Sequence, residues 1–185
     1  MSSKAPLREV PPALRRFGVS LDDVKDAVCR IVPSYAHAPR TALTLYPLTG
    51  GMSNIMLLVE IDRAALTTGA TDAPLRVVAR VLSPQLDEAI DRTAEHNIVK
   101  YVSTKGIGPT LYGMTAIVRV ADSATPLSPS GKVLRLRVEE FVNGRTLNIE
   151  DLRANMPVVE LMAKKVARLH AQRPNLDARV SLEMT

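Results

Sequence analysis

Aromatic side chains are scarce in this chain, and tryptophan is absent. Phe and Tyr together make up 3% of its 185 residues, too few for the rows of exposed rings on which nucleic-acid bases stack. The single cysteine, Cys29, excludes an intrachain disulfide and a cysteine-rich zinc site, and it favours a reducing compartment. No run of roughly eighteen apolar residues is present, so no membrane-spanning helix is expected. These absences predict a cytoplasmic protein that neither binds nucleic acid nor spans a membrane.

The charged residues form no pattern that identifies a partner. The formal net charge is +5, but the basic residues occur singly or in pairs and not in a long basic tract. The chain has three histidines, and none of them pairs with another at a spacing that suits a metal ion. We therefore interpret the charge as solvated surface and predict no metal site.

The spacing of the hydrophobic residues, which make up 46% of the chain, predicts an α+β fold. Residues 1–18 are basic and contain three prolines, so we expect them to be flexible. Ser20 is a favourable N-cap and predicts a helix that Pro33 ends. Apolar runs bounded by turn residues predict strands over residues 42–48, 55–61, 75–82, 117–120 and 133–141.

Two further helices are predicted. Ser83 followed by Pro84 is typical of a helix start, and this helix should run to about residue 104, with Gly106 as its C-terminal cap. A last helix is predicted over residues 157–172. Its inward-facing residues should be Met162, Val166 and Leu169. The order of the elements predicts about five mostly antiparallel strands with one long helix packed on them.

A glycine turn between the first two strands is the first candidate site. It consists of Gly50, Gly51, Met52, Ser53 and Asn54. Glycine lets the backbone approach a ligand closely, and the free N–H groups of such a turn suit phosphate oxygens. A plain hairpin turn explains the same residues, and the turn matches neither a Walker motif nor a complete GxGxxG motif.

The apolar run of residues 75–82 has Arg76 near its start and one charged residue in its interior, Arg80. A buried guanidinium needs a partner, because a lone buried charge is very costly. Glu95 on the next helix can face the sheet and hold Arg80, so that its fork binds phosphate oxygens; Asp91, one turn earlier, is a rival partner. A structural ion pair, or an arginine that extends to solvent, explains the residue equally well.

The end of the last strand is the third candidate. Residues 139–142 offer backbone C=O and N–H groups beside apolar side chains, which is what adenine binding requires. Within this segment Glu140, Phe141 and Val142 are the candidate adenine contacts. Any strand end offers such groups, so an ordinary strand remains the alternative.

Six pieces of the sequence, taken in order, resemble the N-terminal part of the choline/ethanolamine kinase family. They are residues 48–54 (Leu-Thr-Gly-Gly-Met-Ser-Asn), 77–82 (Val-Val-Ala-Arg-Val-Leu), 91–95 (Asp-Arg, then Glu95), 108–113 (Gly-Pro-Thr-Leu-Tyr-Gly), 140–147 (Glu-Phe-Val-Asn-Gly-Arg-Thr-Leu) and 167–171 (Ala-Arg-Leu-His-Ala). The order and spacing carry the resemblance, which covers about residues 42–172. Aminoglycoside phosphotransferases share the outline, but the fourth piece and the arginine at position 80 favour the choline/ethanolamine branch.

The resemblance implies a protein-kinase-like N-terminal lobe. Residues 1–40 would be a flexible N-terminus and a helix, residues 41–142 the ATP-binding lobe, and residues 143–185 the hinge exit and first helix of a truncated C-terminal lobe. The glycine turn would cover the phosphates of ATP, and Arg80 would replace the phosphate-binding lysine with Glu95 as its partner. The catalytic base and the Mg²⁺ ligands would lie in the missing lobe, so the chain itself would contain no catalytic residue.

The resemblance also implies a function. The whole protein would use ATP to phosphorylate the hydroxyl of choline or ethanolamine, the first step of phosphatidylcholine and phosphatidylethanolamine synthesis, and this chain alone would be inactive. Its partners would be ATP and that small molecule, and a homodimer stays open. The alternatives are a non-catalytic kinase-like module that binds nucleotide or protein, and an aminoglycoside-type kinase.

Overall fold

The computed structural model describes residues 5–48, 54–66, 72–83, 86, 89–117 and 134–172. The chain divides into two compact units. The first comprises residues 1–89 and 111–141 and contains a five-stranded sheet. The second comprises residues 90–110 and 142–185, and its described part is helical. The α+β class predicted from the sequence is confirmed.

The sheet is antiparallel throughout. Its strands are Leu43–Leu48 (β1), Asn54–Ile61 (β2), Arg76–Leu82 (β3), Leu111–Ile117 (β4) and Leu134–Glu140 (β5). They are arranged in the order β1-β2-β3-β5-β4. The prediction placed the fourth strand at residues 117–120, but β4 begins at Leu111. A register shift next to Gly113 breaks the period-two pattern at this point, which hid the strand from sequence reasoning.

Alternation along the strands gives the sheet two different faces. The core face carries buried apolar side chains: Leu57, Val59, Val77, Ala79, Val81, Leu136 and Val138. The charged face carries the ionised side chains of the same three strands: Glu60, Arg76, Arg80, Arg135, Arg137 and Glu139. The charged face also carries the buried apolar side chains of Val78 and Leu82, so a polar ligand can be received only at its charged part.

Two helices, Pro12–Arg15 (α1) and Leu21–Ile31 (α2), accompany the sheet in the first unit. The helix α2 packs on β4 and β5. At Gly113 the approach is so close that an added Cβ would lie 3.1 Å from Cγ2 of Ile31, which explains the glycine.

Residues 5–18, which the sequence predicts to be flexible, contact the rest of the first unit in the structure. Leu14 is fully buried in the core, and the N–H of Leu7 donates to the carbonyl of Leu45 over 2.8 Å. The basic and proline residues dominated the sequence pattern, whereas the few apolar ones decide the packing.

The predicted N-cap of α2 is confirmed as a capping box. The N–H of Asp23 donates to Ser20 Oγ over 3.0 Å, and the N–H of Ser20 donates to the Asp23 carboxylate over 2.8 Å. Each side chain thus satisfies a backbone donor that the first turn leaves without an intrahelical acceptor.

Replacing Ser20 by alanine should lower the free energy of unfolding by about 1 kcal/mol, because it removes the acceptor for the Asp23 N–H. Urea unfolding of the chain measures this. Ser34→Ala serves as the control, since Ser34 lies in a 3-10 turn (Pro33–Tyr35) without a side-chain cap. An equal loss of unfolding free energy in the two variants would contradict a capping role of Ser20.

The second unit contains three described helices, Arg92–Thr104 (α3), Ile149–Ala154 (α4) and Met156–His170 (α5). The prediction that α3 starts at Ser83 is wrong. Its N-cap is Asp91, whose carboxylate accepts from the N–H groups of Thr93 and Ala94. The helix ends as predicted, with Gly106 at a φ of +61°. No helix in the described residues is long and apolar enough to cross a membrane.

The apolar residues of α5 do not face inward as predicted. Met162, Val166 and Leu169 are 42%, 44% and 42% exposed. Their spacing does form one stripe, which is what the sequence shows, but a stripe is buried only where another element lies against it. Within the described part of the second unit, α5 packs on α4, and Arg168 of α5 donates to the carbonyl of Lys105 at the end of α3; these contacts leave the stripe open.

Candidate functional site

The strand β3 places Arg80 on the charged face. Its neighbours Ala79 and Val81 are buried on the core face, so alternation fixes the direction of the arginine. In the register of the sheet, Met56 of β2 lies on one side of Arg80 and Arg137 of β5 on the other. The side chain is 26% exposed. It is therefore partly desolvated, which strengthens its interactions, and it remains accessible to a ligand.

Arg80 belongs to a group of three charged residues that span two strands. Arg80 and Arg137 stand directly opposite each other, an arrangement that is unfavourable for like charges. Glu139 lies between them, with 3.3 Å from its Oε2 to Arg80 Nη2 and 2.5 Å from its Oε1 to Arg137 Nε. The side chains of Arg137 and Glu139 are only 5% and 10% exposed. We call these three residues the β3–β5 charge cluster. In this cluster one carboxylate forms ion pairs with two guanidinium groups.

The guanidinium of Arg80 keeps donors for a ligand. An arginine has five N–H donors, and Nε of Arg80 is buried with no hydrogen-bond partner among the described residues. Oδ1 of Asn54, at the start of β2, is also buried, and it too has no partner in the described part of the chain. Asn54 is paired with Leu82, so it lies on the charged face diagonally from Arg80. Because buried polar atoms are normally satisfied, these two mark a place for a polar ligand.

Of the glycine turn, the structure describes only Asn54. Gly50, Gly51, Met52 and Ser53 lie outside the described residues. Asn54 is the first residue of β2, so the predicted turn directly precedes the strand that borders β3. Its proposed contact with phosphate stays a prediction.

The two candidate helix carboxylates belong to the second unit. Glu95 accepts a hydrogen bond from Arg92 of its own helix over 2.7 Å, and Asp91 is the N-cap described above. Capping gives Asp91 a structural role that explains its presence without Arg80. Arg80 and Glu95 lie in different units, so their pairing stays a prediction.

The predicted hinge lies at the end of β5. Glu140 is the last residue of the strand and is paired with Val77, and Phe141 follows it with the guanidinium of Arg76 5.8 Å from its ring centre. Val142 is 60% exposed. Burial and, second to it, the charge of Glu140 raise the pKa of Tyr112 on β4, so this phenol is neutral at physiological pH. Adenine contacts of Glu140, Phe141 and Val142 stay predictions.

An arginine–aspartate pair orders the segment that leads into α4. Arg145 donates two hydrogen bonds to the carboxylate of Asp151, which also accepts from the backbone N–H of Asn148. Asn148 in turn accepts from the N–H of Asp151, which completes a capping box at the start of α4. The Arg145 hydrogen bonds, followed by that from Asn148, lower the pKa of Asp151 to about 2.

The carboxyl of Asp151 should titrate near pH 2 in the folded chain, below its ordinary value of 3.8. Since the folded-state pKa is depressed, the pair stabilises the fold at pH values above 3.8, and this contribution disappears as the pH falls through about 2. Carboxyl-detected NMR measures the midpoint. In Arg145→Gln the midpoint should move up towards 3.8. A midpoint that is the same in both proteins would show that Arg145 does not cause the shift.

Sequence reasoning missed Arg137 altogether and treated Glu139 only as part of a strand end. A signal was present, because Leu134 to Glu139 alternates apolar and charged residues over six positions. That alternation predicts one charged face for β5. It does not predict that the face lies next to Arg80, which follows only from the sheet order. Among the described residues, no three His, Cys, Asp or Glu side chains group together as metal ligands.

The fold is that of a kinase-like N-terminal lobe. It matches the crystal structure of choline kinase from Cryptosporidium parvum Iowa II with a TM-score of 0.54. The match covers 86% of this chain and 38% of that one, at 18% sequence identity. This likeness confirms the predicted fold.

This chain is matched over residues 45–119 by the model of the choline/ethanolamine kinase family. It is 26% identical over 137 residues to choline kinase of Saccharomyces cerevisiae, which covers 74% of the chain and 19% of the yeast protein. It is 27% identical over 160 residues to probable ethanolamine kinase A of Dictyostelium discoideum, which covers 84% of the chain and 39% of that protein. The chain thus spans less than half the length of these relatives.

Proposed function

We propose that this chain is the ATP-binding lobe of a kinase that transfers the γ-phosphoryl group of ATP to the hydroxyl of choline or ethanolamine. The observation that carries the proposal is Arg80. It is an arginine inside an apolar strand, held by Glu139, partly accessible, and with a buried Nε that no described residue satisfies. A phosphate oxygen is the acceptor that such a donor suits best.

ATP would contact three parts of the chain. Arg80 would bind the α- and β-phosphates, and the turn of residues 50–54 would cover the phosphates with its backbone N–H groups. The segment 140–142 would hold the adenine through its backbone. Mg²⁺ would be held by ATP oxygens and by carboxylates beyond the described residues, and there it would neutralise charge on the phosphates.

The choice of choline or ethanolamine rests on the family and on the chemistry of transfer. The relatives include both a choline kinase and a probable ethanolamine kinase. Phosphoryl transfer depends mainly on positioning and charge stabilisation, so a lobe that fixes the phosphates makes a defined contribution. Choline carries a quaternary ammonium, which aromatic rings bind well. This chain has only two Phe and four Tyr, so we assign substrate recognition to residues outside it. Because the chain has a single cysteine, which favours a reducing compartment, we place the protein in the cytoplasm.

The test is ADP release by the full-length product of the gene, supplied with Mg-ATP and either choline, ethanolamine or an aminoglycoside. We expect turnover that depends on choline or ethanolamine. Turnover with the aminoglycoside alone would overturn the substrate assignment in favour of that related class of kinase. ATP binding without turnover on any of these hydroxyl compounds would favour a non-catalytic module, and absence of ATP binding would reject the nucleotide site itself.

A further inference from the structure

We propose that Glu139 and Arg137 position Arg80 for the phosphates, as an ion-pair relay inside the sheet. This inference rests on the proposed ATP site and adds two residues to it. Arg137 fixes one oxygen of the Glu139 carboxylate, and the other oxygen fixes Nη2 of Arg80. The expected positioning residue for such a cation is a helix carboxylate, whereas this relay lies within β3 and β5.

The exposed fractions of the three side chains support the order Arg137, Glu139, Arg80 in the relay. Arg137 is the most buried of the three at 5%, Glu139 follows at 10%, and Arg80 is the most accessible at 26%. The inner contact is a close ion pair, with 2.5 Å from Arg137 Nε to Glu139 Oε1 against 3.3 Å in the outer pair. A buried inner pair with a more accessible outer guanidinium is what a support needs, because the outer guanidinium must still present its remaining donors to a ligand.

The relay orders the side chain of Arg80 before a ligand binds. A long arginine side chain has many rotamers, and a ligand that must order it loses affinity. Glu139 takes one of the donors of Arg80, and the buried Nε has no hydrogen-bond partner among the described residues. It therefore orders the side chain beforehand without using all of its hydrogen bonds. Two arginines placed opposite each other would repel in the absence of this carboxylate.

A double-mutant cycle tests the relay on the full-length gene product. Glu139→Gln keeps the shape of the side chain and removes its charge, so it should weaken ATP binding about tenfold, as the loss of a charge-assisted hydrogen bond does. The same substitution in an Arg80→Met background should leave the ATP dissociation constant unchanged within about twofold, because the arginine through which it acts is gone. Isothermal titration with Mg-ATP measures all four proteins.

Two further variants separate positioning from general damage. Asp26→Asn removes the carboxylate of a separate ion pair of the first unit, between Asp26 and Arg40, and should leave ATP affinity unchanged. Arg137→Lys keeps the inner charge but loses the fork, so it should weaken ATP binding less than Glu139→Gln. It also provides the readout if Glu139→Gln does not fold, since its effect too should vanish in the Arg80→Met background.

The outcomes are distinct. If the parent protein does not bind ATP, the proposed function fails. If the parent binds ATP but the substitutions act additively with Arg80→Met, or leave affinity unchanged, the relay is refuted and the ATP site stands. Loss of affinity by Asp26→Asn to the same degree would show general destabilisation and would likewise refute the relay.

Discussion

Exchange of Arg80 for alanine should weaken ATP binding at least about tenfold, which corresponds to about 1.4 kcal/mol. The substitution removes a guanidinium whose Nε has no acceptor in the described part of the chain and whose Nη2 is held by Glu139. Charge-assisted hydrogen bonds to phosphate are worth more than neutral ones. The loss of binding affinity should therefore be large for ATP and small for adenosine, which has the base and the sugar but no phosphate. Titration calorimetry with both ligands measures the difference.

Arg63→Ala is the matched control for Arg80→Ala. It removes the same charge from an exposed position in the 3-10 turn after β2, and it should leave both affinities unchanged. Arg80→Lys keeps a positive charge without the fork, so its loss should be smaller than that of the alanine variant. An equal loss of ATP and adenosine binding in Arg80→Ala would contradict a contact with phosphate, and so would an unchanged affinity for ATP in a folded protein.

The position of Arg80 could be predicted from the sequence, but its observed partner could not. Arg80 is visible in the sequence as the interior charge of the run of residues 75–82, which also has Arg76 near its start. Strand alternation then fixes the face of Arg80. Glu139 lies 59 positions away. Its proximity depends on β5 pairing with β3 while β4 occupies the edge. Local patterns define strands but not the order in which distant strands pair, so the sequence pointed to the helix carboxylates near in the chain.

The start of α3 shows a second limit. Ser83 followed by Pro84 and the aspartate at position 91 are both good start signals for a helix. Local propensity does not rank them, whereas the structure has the cap at Asp91. The same holds for the apolar stripe of α5, where the spacing was evident and its exposure was not. In both places the sequence identified the type of element, and packing decided its bounds or its burial.

Two neighbouring leucines of β2 should respond very differently to truncation. Leu57 is 1% exposed on the core face, opposite Ala79, and Leu58 is only partly buried on the charged face, opposite Val78. Leu57→Ala should lower the free energy of unfolding by about 2–5 kcal/mol, because it leaves a cavity in a closed core. Leu58→Ala should cost less than half as much, since solvent already reaches that side chain. Urea unfolding of both variants measures the contrast.

The comparison also tests the site, because both variants lose the same atoms from adjacent positions of one strand. A domain has only about 5–15 kcal/mol of stability in total, so Leu57→Ala is expected to bring it close to unfolding. If Leu58→Ala costs as much as Leu57→Ala, the charged face is as tightly covered as the core face. A face closed in that way has no room for a nucleotide beside Arg80, and the ATP site proposed for it would then be wrong.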